Sequence, residues 1–166
     1  MTTIIGIDPG PETWAFVAIG VPFTSVLDCA ELTLAQLEKR LDGTLSAIAI
    51  EGMQPWGKKP GSVQRDQLCY EIGRLVEWCK CLAHVLGPVG VFWPAQIRVW
   101  NTGNTSAKSS QIRAAMIDRC GPPGTKKQPG PTHGLHGPHL WDALAVAIYA
   151  NDHVGQDWST LNVWTV

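Results

Sequence analysis

Four side chains of metal-ligating type stand where this sequence breaks an apolar run. Asp8 closes Ile4-Ile5-Gly6-Ile7 and is followed at once by Pro9-Gly10, a pair that ends extended structure. Glu51 closes Ala47-Ile48-Ala49-Ile50 in the same way. His139 and Asp142 lie three residues apart after Pro138, a spacing that puts both on one face of a helix near its start. A carboxylate at the end of a buried strand is costly unless it meets a cation, a donor or a pKa shift. Three carboxylates and an imidazole suit Mg²⁺ or Mn²⁺. Two such ions would serve phosphoryl chemistry, one activating a water and the other stabilising the leaving oxygen of an in-line attack.

The surrounding pattern supplies elements to carry these groups. Residues 3–10, 14–20 and 24–30 read as three strands joined by short connections, hence an antiparallel meander. Thr33 caps a helix through Leu34, Leu37 and Leu41 that Gly43 ends. Residues 46–52 form a further strand, and a parallel pairing with the first sets Glu51 beside Asp8. Residues 53–66, with Trp56, Lys58, Lys59 and Arg65, read as a mobile loop beside the site. A long amphipathic helix follows from Asp66 to Leu86, closed by Gly87-Pro88. Its reverse face carries Cys69, Tyr70, Trp78 and Val85, apolar enough to imply a second contact such as a dimer interface.

Residues 90–93 give a short strand, 94–98 a helical turn, and 107–120 a helix buried through Ile112, Ala115 and Met116. The Gly/Pro-rich stretch 121–138 reads as an ordered lid or a disordered loop. The final helix spans 138–151.

Size and composition fit one soluble domain: 166 residues, 45% hydrophobic and 16% charged, with no apolar run of the ~18 residues that a membrane span requires. With no signal-peptide pattern at the start, and five cysteines without a CxxC pair, the expected place is the cytosol and the cysteines are read as small hydrophobes. The net charge of −1 conceals segregation. Residues 1–51 hold two basic and seven acidic side chains (net −5), 52–138 eleven and four (net +7), and 139–166 none and three (net −3). A basic middle between acidic ends suits a protein that binds phosphates on one surface and cations at another.

The segments Ile4-Ile5-Gly6-Ile7-Asp8-Pro9-Gly10, Ala49-Ile50-Glu51 and His139-Leu140-Trp141-Asp142-Ala143-Leu144-Ala145 resemble the RuvC-type Holliday junction resolvases in order and approximate spacing. Ser106-Ala107-Lys108-Ser109-Ser110-Gln111-Ile112 also looks like that family's polar turn and helix. The resemblance implies an α/β ribonuclease H-like fold, a mixed five-stranded sheet flanked by helices. It implies a homodimer that nicks both sides of a four-way DNA junction with divalent metal. Carried across, it makes Asp8, Glu51, His139 and Asp142 the catalytic and metal-binding set, with His139 a ligand or a proton-transfer group. The likeness runs over about residues 3 to 151, so 1–151 is read as a nuclease domain and 152–166 as a tail without an assigned role. Trp14, the offset of Lys108, and the loop 121–138 depart from the family pattern and suggest a divergent member such as a phage or viral enzyme.

Lys58, Lys59, Arg65, Arg74, Lys108 and Arg113 are the candidate contacts to DNA phosphates, which position nucleic acid without reading sequence. Trp56 and Trp93 are candidates for stacking at a branch point. Two other readings remain open on the same fold: a dimeric branched-DNA-binding protein without catalysis, and a nuclease for other branched DNA or RNA. A zinc site from Cys120, His133, His136 and His139 is a weaker alternative, because no Cys pair supports it.

Overall fold

The structure, a computed structural model, describes residues 3–41, 46–53, 63–81 and 88–153, with the side chains of 63–65 and 80 outside that description. Five strands form one mixed sheet in the order β3-β2-β1-β4-β5. β1 (Thr3–Asp8), β2 (Trp14–Gly20) and β3 (Val26–Leu32) are the expected antiparallel meander. β4 (Ser46–Glu51) and β5 (Val89–Phe92) continue the sheet in parallel from the other side of β1. β1 is therefore the central strand, which is why its sequence is an unbroken apolar run.

Alternation along the strands sorts the core into two layers. Ile5, Ile7, Trp14, Phe16, Ile48 and Ile50 face α1 (Leu34–Leu41) and α2 (Val63–Cys81). Ile4, Val17, Ile19, Ala47 and Ala49 face α3 (Pro94–Thr102), α4 (Ser109–Cys120) and α5 (Pro138–Asp152). Period two then puts Asp8 and Glu51 on the α5 side of the sheet, and the parallel register Ile7↔Ile50 sets them at neighbouring strand ends.

α5 is buried at every position from Leu140 to Ala150 except Asp142, as a helix wedged between a sheet and other helices must be. It can lie on β1 because position 6 is glycine. A Cβ there would stand 2.2 Å from the Ala143 carbonyl oxygen and 2.7 Å from the Ala147 nitrogen. This close approach brings the first turn of α5 to the end of β1.

Several expected boundaries move. β3 is displaced two residues towards the C-terminus, its start held by the Val26 N–H donating to Pro131 O (2.8 Å). Residues 63–66 belong to α2 and not to a loop, with Asp66 in the first turn where the helix dipole favours an acid. Residues 54–62 and 82–87, which hold the rest of that expected loop and the expected end of α2, lie outside the described residues.

The turn expected over 94–98 is a nine-residue helix, α3. Gln96 Oε1 accepts the Trp93 N–H (3.1 Å), Pro94 occupies the first turn, Ile97 is buried, and Gly103 at φ 73° ends it. α4 begins at Ser109, two residues later than expected, with Lys108 as its N-cap and Gln111 Oε1 taking the Lys108 N–H (2.9 Å).

On α2, Ile72, Leu75 and Cys79 are buried, whereas Trp78 packs against its own core and Cys69 reaches the Met53 sulfur. Tyr70 is left 68% exposed, and Val85 lies outside the described residues. Cys79 and Cys120 are buried as expected of small hydrophobes, but Cys81 is exposed.

Candidate active site

The ends of β1 and β4 and the first turn of α5 meet at one place. His139 Nδ1 lies 3.1 Å from Asp8 Oδ2. One ligand atom from each of Asp8, His139 and Asp142 falls within 4.8 Å of the others, a group able to hold a metal ion. Glu51 is outside that tight group but ends the adjacent strand, where its carboxyl and that of Asp8 perturb each other. Asp142 is held from α4, where Ser109 Oγ donates to its Oδ2 at 2.8 Å. Its Oδ1 is buried and unpartnered, an orphan acceptor that a cation would satisfy.

The electrostatics agree with a site made for a cation. Burial pushes the Asp8 carboxyl up to about 6, opposed by its bond to His139 and reinforced by the Asp142 charge. Burial also raises Glu51 well above the usual carboxylate range, with Asp8 and Asp142 adding to the shift, and it raises Asp142. Three acids that resist ionising together describe a donor set short of positive charge. Arg98 of α3 works against the shift at both Glu51 and Asp142. His139 is 60% exposed where the side chain of Asp8 is only 15% exposed, so the imidazole is the more accessible of the two to anything that approaches from solvent.

All four expected catalytic residues thus come together, three tightly and Glu51 beside them. The expected DNA contacts are dispersed. Arg113 projects from α4 over the Trp141 ring, 5.6 Å from its centroid, and Lys108 caps the same helix immediately before Asp142's donor Ser109. Arg74 is on α2, across the sheet from the site, and pairs with Glu38 at 3.0 Å. Lys58, Lys59 and Trp56 lie outside the described residues, as does the side chain of Arg65; Trp93 is half-buried at the start of α3.

The zinc alternative is not formed. His133 Nδ1 is 3.2 Å from the Pro123 carbonyl, Cys120 is buried, and among the described residues the group of possible ligands is Asp8, His139 and Asp142. Two site residues carried no signal of their own in the sequence. Ser109 reads as one hydroxyl in a polar turn, and Arg98 reads as a surface charge until α3 is known to continue past it.

A five-stranded sheet in this order, with a carboxylate ending each of two adjacent central strands and a helix laid across them, is a ribonuclease H-like fold. Among solved structures, that of Thermus thermophilus RuvC matches with TM-score 0.63 and 18% identity, over 91% of this chain and 94% of that one. T. thermophilus RuvC in complex with Holliday junction substrate matches with TM-score 0.59 and 19% identity, over 92% of this chain and 96% of that one. No protein-family model matches the sequence, and neither does any curated protein. At such identities the likeness is one of fold. Among the described residues no helix is long and apolar enough to cross a membrane.

Proposed function

We propose that this chain is a metal-dependent endonuclease that resolves four-way DNA junctions by paired symmetric nicking through phosphodiester hydrolysis. The observation that carries the reading is the convergence of Asp8, His139 and Asp142 within 4.8 Å, with Glu51 at the end of the neighbouring strand and Asp142 Oδ1 left without a partner. The fold shared with RuvC, one of whose structures holds a Holliday junction substrate, supports the choice of DNA. The protein acts as a homodimer in the cytosol, since two equivalent nicks need two equivalent sites. Residues 1–151 form the nuclease domain, 152–166 are an appended tail, and a phage or viral source accounts for the departures from the family pattern.

Asp8, Glu51, His139 and Asp142 hold Mg²⁺ or Mn²⁺, two ions per site, because carboxylate oxygens and one imidazole match hard divalent cations. When bound, such ions supply charge neutralisation and Lewis-acid polarisation at the phosphodiester. The chain's own residues set the geometry. Ser109 fixes the rotamer of Asp142, and Arg98 offsets part of the carboxylate repulsion. Asp8 orients the His139 ring through Nδ1, which leaves Nε2 either to ligate or to accept a proton. Lys108 at the cap of α4 and Arg113 on it, with Lys58, Lys59 and Arg65, supply phosphate contacts, while Arg74, across the sheet and paired to Glu38, contributes only to the charge of the far face.

The test uses labelled four-way, flap and linear duplexes with Mg²⁺. Wild type should give paired symmetric nicks on the junction, while Asp8→Asn and Asp142→Asn bind it without cutting. Nicking that survives either substitution sinks the assignment. Junction binding with no product in any divalent metal would instead make the chain a non-catalytic junction binder, and a preference for flaps or RNA would relocate the substrate within the nuclease class.

A further inference from the structure

The loop 121–138 was the part of the sequence that found no place in the family pattern, and it is an ordered element. Gly124 and Pro129 bridge its two arms, Gly130 N–H donates to Pro123 O (2.8 Å), and Thr125 N–H donates to Gln128 O (2.9 Å). Thr132 is fully buried and its hydroxyl donates to Gly121 O (2.8 Å), which ties the loop's return to the end of α4. The Val26–Pro131 bond fastens the same strand of chain to the edge of the sheet. From there Leu135 plugs into the core, and Gly134 (φ 93°) and Gly137 (φ 96°) turn the backbone into α5.

This return path and the first turns of α4 enclose a cleft of about 570 Å³. That is room for one nucleotide unit. Its polar lining is Ser109, Ser110, Arg113 and His136, with the Trp141 ring as an apolar floor and no carboxylate among the lining residues. Arg40, Arg74 and Arg119 are each paired to an acid, whereas Arg113 rests on the ring of Trp141, which is 2% exposed. A guanidinium held by an aromatic face keeps its donors free for an oxyanion. Ser109 belongs to both places: it lines the cleft and its hydroxyl holds Asp142. A ligand in the cleft is therefore one side chain away from the metal-binding group.

We infer that this cleft takes a backbone phosphate of the nucleic acid, one or two linkages from the phosphodiester that is cut. The inference rests on the nuclease reading and adds a subsite to it. Arg113 and His136 contact the phosphate and Ser110 adds a donor. Because the loop is pinned at both ends, the wall is formed before the strand arrives, so binding spends little on ordering it.

A phosphate walk tests the assignment. Single neutral methylphosphonate linkages are placed in turn along the strand near the branch, and binding is measured in EDTA for wild type, Arg113→Gln and His136→Gln. In wild type one linkage near the branch should cost affinity about fivefold or more when neutralised. In Arg113→Gln that same linkage falls silent, the others keep their effects, and the slope of log affinity against log salt drops by about one. His136→Gln should weaken the same linkage only. Both side chains are exposed, so the thermal midpoints should match wild type.

If every neutralised linkage keeps its effect in Arg113→Gln, or if both variants bind with wild-type affinity and slope, the cleft assignment is overturned. If a nucleoside monophosphate or inorganic phosphate competes as well as a strand does, the site belongs to a free anion and the nucleic-acid assignment falls. The two readings fail separately. A silent linkage in a protein that never nicks in Mg²⁺ or Mn²⁺ keeps the cleft and removes the nuclease, and nicking with no linkage tied to Arg113 does the reverse.

Discussion

Without metal, the acids at this site should make the protein less stable as the pH rises, and a divalent cation should remove that loss. Asp8 has its carboxyl pushed from 3.8 to about 6, chiefly by burial. The unfolded chain therefore releases this proton near pH 4 and the folded chain only near pH 6. Between those values unfolding is accompanied by proton loss, so raising the pH favours the unfolded state. The contribution of Asp8 is fully present below the unfolded pKa and lost once the pH has passed 6. Two pKa units at 1.36 kcal/mol each give about 3 kcal/mol. Glu51 and Asp142 shift in the same direction and extend the effect upwards in pH, against the Arg98 charge from α3. For a chain of this size about 3 kcal/mol corresponds to a fall of roughly 6–12 °C in Tm.

The assay is thermal unfolding by circular dichroism between pH 4.5 and 8, in EDTA and in Mn²⁺ or Mg²⁺. A cation needs the deprotonated ligands, so its stabilisation should be large at pH 8 and small at pH 5. At a hundredfold excess over Kd it should restore about 2.7 kcal/mol. Other titrating groups contribute a background, which Asp8→Asn isolates: this variant should be more stable than wild type at pH 8 in EDTA, with a flatter profile and a weaker response to metal. Identical profiles for wild type and Asp8→Asn, or no metal response at pH 8, would refute the account of the site.

Three other substitutions probe how the fold builds the site. Gly6→Ala drives a methyl into the Ala143 carbonyl and the Ala147 nitrogen; it should cost at least about 3 kcal/mol in urea denaturation and weaken metal binding by moving α5 off β1. Ser109→Ala leaves Asp142 unoriented, and the lost bond to a charged acceptor, worth about 1.5–3 kcal/mol, should appear as a metal Kd raised roughly tenfold or more in isothermal titration. Tyr70→Lys alters a side chain that is already 68% exposed, so it should leave Tm unchanged and convert a dimer to a monomer in light scattering if α2 forms the subunit contact.

The residues that could be read in advance are those whose position follows from a period. Strand alternation and a parallel register place Asp8 and Glu51 side by side on one face, and a three-residue helical step places His139 above Asp142; each needs only local geometry. Arg98 was not legible because its role depends on how far α3 runs. That length is set by the glutamine at the helix start, the burial of Ile97 and the glycine at Gly103, three separate influences with no common period.

The loop 121–138 was illegible for a deeper reason. Four of the bonds that order it, Val26 to Pro131, Thr125 to Gln128, Gly130 to Pro123 and His133 to Gly130, run between backbone groups, which no side-chain pattern encodes, and the same histidines that suggested zinc are placed otherwise: His133 faces a Pro123 carbonyl and His136 lines the cleft. Family likeness and periodicity both point to the ends of strands and the starts of helices, where the clustered acids are. The cleft proposed above lies in what those two signals leave out, the loop whose return closes on Arg113 and Trp141.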